Sequence, residues 1–143
     1  MVVCPGAHAC TRGIAETGPA AEVIGRDLPS GSNLLIGISG CPNNCAHAAI
    51  VDIGLLGKVK TVAGEKQPHF RLMVGGGHGV GPALARQLHT AVPASQIGKV
   101  VIMLARAWDD ANSHHNVSFR EYIDREWTRL SDQVAEMSIL ARE

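Results

Sequence analysis

The stretch NLLIGISGCPNNC, residues 33–45, decides how this chain is organised. Asn33 to Ser39 form a largely apolar run, which is typical of a buried strand. The run ends at Gly40, and Cys41 and Cys45 follow at once, with three residues between them. The sequence therefore predicts a buried strand whose end presents a pair of thiols.

A second pair of cysteines lies near the start of the chain. Residues 4–10 read CPGAHAC, so that five residues separate Cys4 from Cys10, and 30 residues then lead to Cys41. The chain has four cysteines in all. Four thiolates from two loops match what a [4Fe–4S] cluster requires, one cysteine sulfur for each iron. Two disulfides, a zinc ion and four buried thiols are the alternatives.

Spacing and compartment argue against zinc and disulfides. Structural zinc sites usually use more closely spaced cysteine pairs or paired histidines, and a C-x5-C pair is not typical of them. The N-terminus MVVCPG lacks the charged and apolar regions of a secretion signal. We therefore expect a cytoplasmic, reducing compartment, in which disulfides are rare. We interpret His8 and His47, which lie within or beside the pairs, as surface imidazoles rather than ligands.

Length and charge limit the domain organisation and the partners. At 143 residues, the chain is long enough for one domain with one core, residues 1–143. Because 13 Lys and Arg balance 13 Asp and Glu, neither nucleic acid nor an anionic membrane is an expected partner. No run of the sequence approaches the roughly 20 apolar residues that span a membrane.

The order of predicted elements indicates an α+β domain with a mixed sheet. Besides residues 33–39, strands are predicted at 1–3, 49–56, 58–62 and 69–74, and helical segments at 9–28, 46–49, 82–91, 95–108 and from 119 onward. Pro82 is expected at the first position of its helix, and Ser95 is expected to cap the next one.

The last helix is the clearest element. Residues 118–121 read SFRE, a capping box in which Ser118 and Glu121 satisfy free backbone groups at the helix start. Apolar residues then recur at steps of four and three, which predicts the buried face of a packing helix. They are Ile123, Trp127, Leu130, Val134 and Met137.

A glycine-rich run, GGGHGVG at residues 75–81, follows the last predicted strand. Such a turn between a strand and a helix can bind phosphate at the helix N-terminus. The run contains no G-x-G-x-x-G register and no G-K-[ST] sequence, however. We interpret it as a tight turn that approaches a cofactor, with phosphate binding as the alternative, and His78 as a loop residue.

The loop GCPNNC offers groups that could surround a cofactor. The amides of Asn43, Asn44 and Cys45 can point toward sulfur, and such hydrogen bonds help to set the reduction potential of a cluster. Gly40 is expected to leave room beside Cys41 for an inorganic core. Gly40, Asn43, Asn44 and Cys45 are therefore the candidate cofactor-binding residues.

Several segments together resemble the siroheme-dependent nitrite and sulfite reductases. They are CPGAHAC followed by TRGIAET, then ISGCPNNCAHAAIVDIGLLG, and further on RLMVGGGHGVGPALARQL and SFREYIDREW. The resemblance covers most of the chain, and the cysteine spacing is its most specific part. It implies the fold of that family's [4Fe–4S] domain, a mixed sheet packed with helices.

The resemblance also implies ligands and cofactors. Cys4, Cys10, Cys41 and Cys45 would hold a [4Fe–4S] cluster, and Cys45 would also ligate the iron of siroheme. Electrons would pass through this bridging sulfur to siroheme for the multi-electron reduction of sulfite or nitrite. Asn44 stands where many family members have Gly, a change that we expect an ordinary backbone angle to allow.

Members of the family are longer, and their N-terminal half supplies Arg and Lys for the substrate. We therefore expect this chain to be inactive by itself and to work with an N-terminal half or a partner subunit, and with a ferredoxin or flavoprotein as electron donor. Siroheme carboxylates need basic partners. The candidate cations are scattered along the sequence: Arg12, Arg26, Lys58, Lys60 and Arg71.

Three other functions remain open from the sequence. The first is an electron-transfer module that holds the cluster without haem. The second is a domain of the related precorrin-3B synthase of cobalamin biosynthesis, which shares the cysteines. The third is a structural zinc domain or a domain without a cofactor.

Overall fold

A mixed sheet packed with helices forms the fold, as the sequence predicts. The structure, a computed structural model, describes residues 1–78 and 81–140, and within them a five-stranded sheet has its strands in chain order. The strands are β1 (Val2–Val3), β2 (Ile36–Ser39), β3 (Ile53–Val62), β4 (Glu65–Val74) and β5 (Arg86–Pro93). β1, β2 and β3 run parallel, whereas β4 is antiparallel to both of its neighbours.

One face of the sheet carries the hydrophobic core. The helices α1 (Gly18–Asp27), α2 (Ala94–His115) and α3 (Phe119–Leu140) cover this face, with α1 packed on α2, and α3 packed on α2 and β5. The strand residues buried against them are Ile36, Ile38, Ile53, Leu55, Phe70, Leu72 and Val74. Because side chains alternate along a strand, the residues between these point to the opposite face. Among the described residues, no helix combines the length and apolar character that crossing a membrane requires.

Helix α3 and its capping box are confirmed. The amide of Ser118 donates to a carboxylate oxygen of Glu121 at 3.0 Å, and the amide of Glu121 donates to the Ser118 hydroxyl at 3.2 Å. Ile123, Leu130 and Val134 are fully buried. The predicted periodicity therefore identifies the face that packs on the core.

The helix predicted at residues 82–91 is wrong, because Arg86–Pro93 forms β5. Leu88 and Val92 are buried against the core, but two irregularities in the pairing with β4 disturb the alternation of buried and exposed residues. A strand with such bulges lacks the period of two by which sequence patterns identify strands.

The segment between the second cysteine pair and β3 also differs from the prediction. Residues 46–49 form turns and not a helical turn, and residues 49–52 precede the strand. β3 then runs from Ile53 through Gly57 to Val62, so that one strand replaces the two predicted ones. The turn predicted at 64–68 is shorter, because β4 already begins at Glu65. The hairpin has positive φ at Ala63 (49°) and Gly64 (83°), which suits a tight two-residue turn.

Helices α1 and α2 differ from the predicted helices in their boundaries. The helix predicted at 9–28 begins only at Gly18, because residues 9–17 are occupied by the loop that contains Cys10. The helix predicted at 95–108 extends from Ala94 to His115, so the exposed His114 and His115 lie in its last turn. Its N-cap is Pro93 and no side chain caps it, so the role predicted for Ser95 is wrong.

Two serines provide a matched test of the helix starts. Replacing Ser118 by Ala removes both the acceptor and the donor of the capping box and should lower the free energy of unfolding by about 1 kcal/mol. Replacing Ser95 by Ala removes no cap and should change it by less than about 0.5 kcal/mol. Urea denaturation followed by circular dichroism measures both; equal losses would contradict the assignment.

Candidate functional site

Cys4 and Cys41 lie at the same edge of the sheet. Val3, the last residue of β1, pairs with Ile38 of β2 in a parallel register. The amide of Cys4 donates to the carbonyl of Ile38 at 3.0 Å, and Cys41 comes two residues after the end of β2. Parallel strands end at one edge, so both cysteines are presented there. The short strand predicted to deliver Cys4 is confirmed.

The loop that carries Cys10 folds back on itself. The amide of Cys10 donates to the carbonyl of Gly6 at 2.9 Å, and the amide of Gly13 donates to the carbonyl of Cys10 at 3.0 Å. A further bond joins the Ala7 amide to the Ala15 carbonyl at 3.0 Å. The backbone of the loop is thus fixed on both sides of Cys10.

Gly40 joins the two cysteine loops. Its carbonyl accepts hydrogen bonds from the amides of Ile14 and Ala15, both at 2.9 Å. Its amide donates to the sulfur of Cys4 at 3.1 Å. A Cβ on Gly40 would lie 2.7 Å from the Ala15 carbonyl oxygen and from Gly6 Cα. Glycine is therefore required here by the packing of the first loop; that Gly40 also leaves room beside Cys41 for an inorganic core remains a prediction.

Thr17 is a site residue that sequence reasoning missed. Its hydroxyl donates to the carbonyl of Cys4 at 2.6 Å, and its side chain is buried beside Gly6. A lone threonine before a helix carries no sequence signal for this contact, because its partner lies 13 residues earlier.

The loop GCPNNC has a different hydrogen-bond pattern from the predicted one. The amide of Asn44 donates to the carbonyl of Cys41 at 3.4 Å, so it closes a turn and does not point at sulfur. Asn44 has φ of 60°, a left-handed conformation that corrects the expected ordinary angle. Gly adopts this conformation freely, and Asn is one of the few other residues that tolerate it. Asn43 is exposed.

The segment after Cys45, residues 46–52, packs on the face of the sheet opposite the helices, which we call the open face. A Cβ on Gly37 would be 2.2 Å from the carbonyl oxygen of Ala46, and a Cβ on Gly54 would be 2.1 Å from that of Ala48. The Ala46 amide donates to the hydroxyl of the buried Ser39 at 2.9 Å. Two glycines on neighbouring strands therefore form the surface on which this segment rests.

The four thiols are free but differ in exposure. Cys41 is buried at 8% relative exposure, Cys4 and Cys10 are partly buried, and Cys45 is exposed. In residues 1–78 and 81–140, no three Cys, His, Asp or Glu side chains are grouped so as to hold a single metal ion. A [4Fe–4S] cluster makes a different demand, since each thiolate binds its own iron at one corner. Two adjoining loops with two thiols each suit that demand.

The histidines of the site lie at its periphery. His8 and His47 are exposed. A ring nitrogen of His78 lies 3.2 Å from the carbonyl oxygen of Ile50. His47 and His78 line a cavity of about 440 Å³ whose other walls are mainly apolar.

Three cations share the open face of the sheet. Lys58 and Lys60 follow Gly54 and Leu56 at every second position of β3, so these positions share one face, and Arg71 of β4 lies directly opposite Leu56. All three thus point to the face on which the segment after Cys45 rests. Within the described residues, none of the three has an ion-pair partner. These three cations, scattered in the sequence, are thus brought to one face of the sheet by the pairing of β3 and β4.

The remaining two cations lie elsewhere. Arg26 pairs with Asp27 in α1 at 3.0 Å, and Arg12 is exposed in the first cysteine loop.

The glycine-rich run precedes a strand and not a helix. Since β5 follows it, the alternative interpretation, a phosphate site at a helix N-terminus, is wrong. Gly79 and Val80 lie outside the described residues. The predicted approach of this turn to a cofactor remains a prediction.

Asp52 connects this region to β2. Its carboxylate accepts a hydrogen bond from the Leu35 amide at 2.8 Å. Burial raises the pKa of Asp52 above its ordinary value, although the Leu35 amide and the charges of Arg120 and His78 act in the opposite direction.

Comparison with known proteins identifies the family. The model of the nitrite and sulphite reductase 4Fe-4S domain matches residues 1–139. The chain belongs to this family. The match extends from the first cysteine loop to the end of α3, so the resemblance noted in the sequence is confirmed.

Relatives of the family are much longer than this chain. The assimilatory ferredoxin-dependent nitrite reductase of Haloferax mediterranei is 30% identical over 132 residues, which are 87% of this chain and 22% of that protein. The assimilatory-type sulfite reductase of Nitratidesulfovibrio vulgaris is 34% identical over 96 residues, 61% of this chain and 39% of that protein. The chain thus spans well under half of either relative.

A solved structure shows the same fold. The NirA protein of Mycobacterium tuberculosis superposes with a TM-score of 0.69 at 24% identity, over 86% of this chain and 24% of NirA. The mixed sheet and its helices are therefore the fold of a nitrite and sulphite reductase 4Fe-4S domain.

The glycine surface under the segment after Cys45 can be tested by one methyl group. Replacing Gly54 by Ala places a Cβ against the Ala48 backbone and should lower the free energy of unfolding by about 1–3 kcal/mol. The control is Gly18→Ala, whose Cβ would meet nothing within 4 Å. Urea denaturation of both variants decides, and a Gly54→Ala protein as stable as the control would show that the segment does not rest there.

Proposed function

We propose that this chain is the [4Fe–4S]-binding domain of a nitrite or sulfite reductase. Cys4, Cys10, Cys41 and Cys45 would each ligate one iron of the cluster. The observation that carries this proposal is the connection of the two cysteine loops through Gly40, at the edge where β1 and β2 end. Membership in a family named for such a cluster supports it.

Neighbouring groups of the chain would tune and shield the cluster. The Gly40 amide already donates to the sulfur of Cys4, and hydrogen bonds to sulfur and solvent exposure both affect the reduction potential. The Thr17 hydroxyl holds the Cys4 carbonyl and so orients that ligand. Cys41, which is buried, would anchor the protein side of the cluster.

Cys45 is suited to a second role as ligand of siroheme iron. It is the exposed thiol of the four, so its sulfur can contact a group that lies outside the domain. Lys58, Lys60 and Arg71 lie on the same face as the segment after Cys45 and could pair with siroheme carboxylates. When bound, the cluster and siroheme would supply the electrons and the iron for multi-electron reduction of sulfite or nitrite.

The rest of the reductase would come from outside the domain. The chain covers 22% of the Haloferax relative and 39% of the Nitratidesulfovibrio relative. We propose that an N-terminal half or a partner subunit completes the substrate site and that a ferredoxin or flavoprotein donates electrons. A cytoplasmic location, where thiols stay reduced, accords with four free cysteines.

Metal analysis tests the proposal directly. Anaerobic reconstitution of the chain with iron and sulfide should give about four irons and four sulfides per chain. Siroheme added to the loaded chain should give haem absorption bands and a change in the spectrum of the cluster. Zinc alone, or no metal with four titratable thiols, would refute the cluster. A cluster-loaded chain whose spectrum does not change when siroheme is added would indicate the haem-free electron-transfer module.

The ligand role of Cys45 can be separated from any structural role. Cys45→Ser should lower the iron content and abolish a siroheme response. Because the side chain is exposed, the free energy of unfolding of the metal-free chain should change by less than about 0.5 kcal/mol. Thr11→Ala, an exposed change next to Cys10, should retain full iron content. A Cys45→Ser protein that loads four irons and responds to siroheme would exclude this ligand.

A further inference from the structure

Arg120 reaches from α3 to both ends of the glycine-rich run. Its Nε donates to the carbonyl of Gly75 at 3.1 Å, and its Nη1 donates to the carbonyl of Gly81 at 3.0 Å. The residue is partly buried, and no described acidic side chain forms an ion pair with it. The guanidinium therefore acts mainly on backbone carbonyls, with donors in a rigid planar arrangement.

Gly77 of the run lies close to this guanidinium. A Cβ on Gly77 would lie 2.5 Å from Nη2 of Arg120. Gly77 and Ala83 also exchange backbone hydrogen bonds, at 2.9 and 3.1 Å, which tie the start of the run to the residues before β5. Any side chain at Gly77 would have to displace the guanidinium or the turn.

This turn in turn holds the segment that follows the second cysteine pair. The Gly75 amide donates to the Asp52 carbonyl at 2.9 Å, and the Ala85 amide donates to the Ala49 carbonyl at 2.8 Å. Between these two bonds, a Cβ on Gly76 would be 2.7 Å from the Val51 carbonyl oxygen. Residues 49–52 are thus held at Asp52 and Val51 by the start of the glycine-rich run, and at Ala49 by Ala85, just before β5.

The bound segment continues directly into Cys45. The Ile50 amide donates to the His47 carbonyl at 3.0 Å, and the His47 amide donates to the Asn44 carbonyl at 3.1 Å. The Ala48 amide donates to the Asn44 side chain at 2.6 Å. Cys45 therefore lies within a chain of turns whose far end is held by the glycine-rich run.

We propose that Arg120 is a positioning residue for Cys45, acting through the glycine-rich run and residues 46–52. The proposal rests on the proposed function only for the statement that Cys45 is a ligand. The mechanical connection from Arg120 to Cys45 does not depend on a cofactor and can be tested on the metal-free chain. On this proposal, a side chain on the last helix helps to fix the position of Cys45, the one thiol that is exposed at the site.

Two variants disturb the connection from opposite sides. Arg120→Gln removes the pair of guanidinium bonds, and Gly77→Ala pushes a methyl group against the intact guanidinium. Arg120→Lys retains the charge and one donor nitrogen, and it should give an intermediate result. The matched controls are Arg125→Gln, an exposed arginine on the same helix, and Gly18→Ala.

Hydrogen exchange of the metal-free chain tests the connection independently of the cofactor. In Arg120→Gln and Gly77→Ala, the amides of residues 46–50 should exchange about ten-fold faster than in the controls, while the α2 core amides keep their protection. Unchanged exchange at 46–50 would overturn the proposal, as would equal acceleration throughout the domain. If Arg120→Gln does not fold, Arg120→Lys and Gly77→Ala decide the outcome.

Iron retention then tests the consequence for the ligand. With the reconstituted chain and a chelator, both variants should lose iron at least about ten-fold faster than the controls, as for groups that orient metal ligands. Failure of the unaltered chain to take up iron would refute the proposed function, and the exchange result would still stand. Uptake by the unaltered chain with equal retention by all variants would overturn the positioning role alone.

Discussion

The backbone of Gly40 is the contact on which the site depends. Three parts of the chain meet there, because the carbonyl binds two amides of the first cysteine loop and the amide binds the sulfur of Cys4. The Gly40 carbonyl also contacts β3, since a Cβ on Gly57 would lie 2.2 Å from its oxygen. Because glycine has no side chain, these backbone segments can contact each other. This contact brings the two cysteine pairs together.

The two faces of the sheet have separate tasks. The helix face holds the aliphatic and aromatic residues whose burial stabilises the domain. The opposite face carries two glycines under the segment after Cys45, and three cations farther along β3 and β4. This division explains the alternation in Ile36-Gly37-Ile38 and in Ile53-Gly54-Leu55: the aliphatic side chains supply the core, and the glycines on the other face accept backbone.

Local patterns in the sequence predicted the elements that depend on local interactions. The periodicity of α3, its capping box and the strand before Cys41 are of this kind. β5 was missed because its bulges are set by pairing with β4. The turns at 46–52 were missed because residues that hold them are distant in the sequence: Gly75 binds Asp52, and Ala85 binds Ala49. Cysteine spacing indicated the site, whereas Thr17 and the purpose of Gly40 required the folded chain.

The unequal exposure of the thiols has a consequence for oxidative damage. Oxidation of a cysteine to sulfenic and higher acids follows its exposure and thiolate character, and the later steps are irreversible. Cys41 lies inside the domain, and Cys45 lies at its surface. In the metal-free chain, oxidative loss should therefore begin at Cys45, and a single event there would remove the sulfur that we propose as the ligand of a second redox centre.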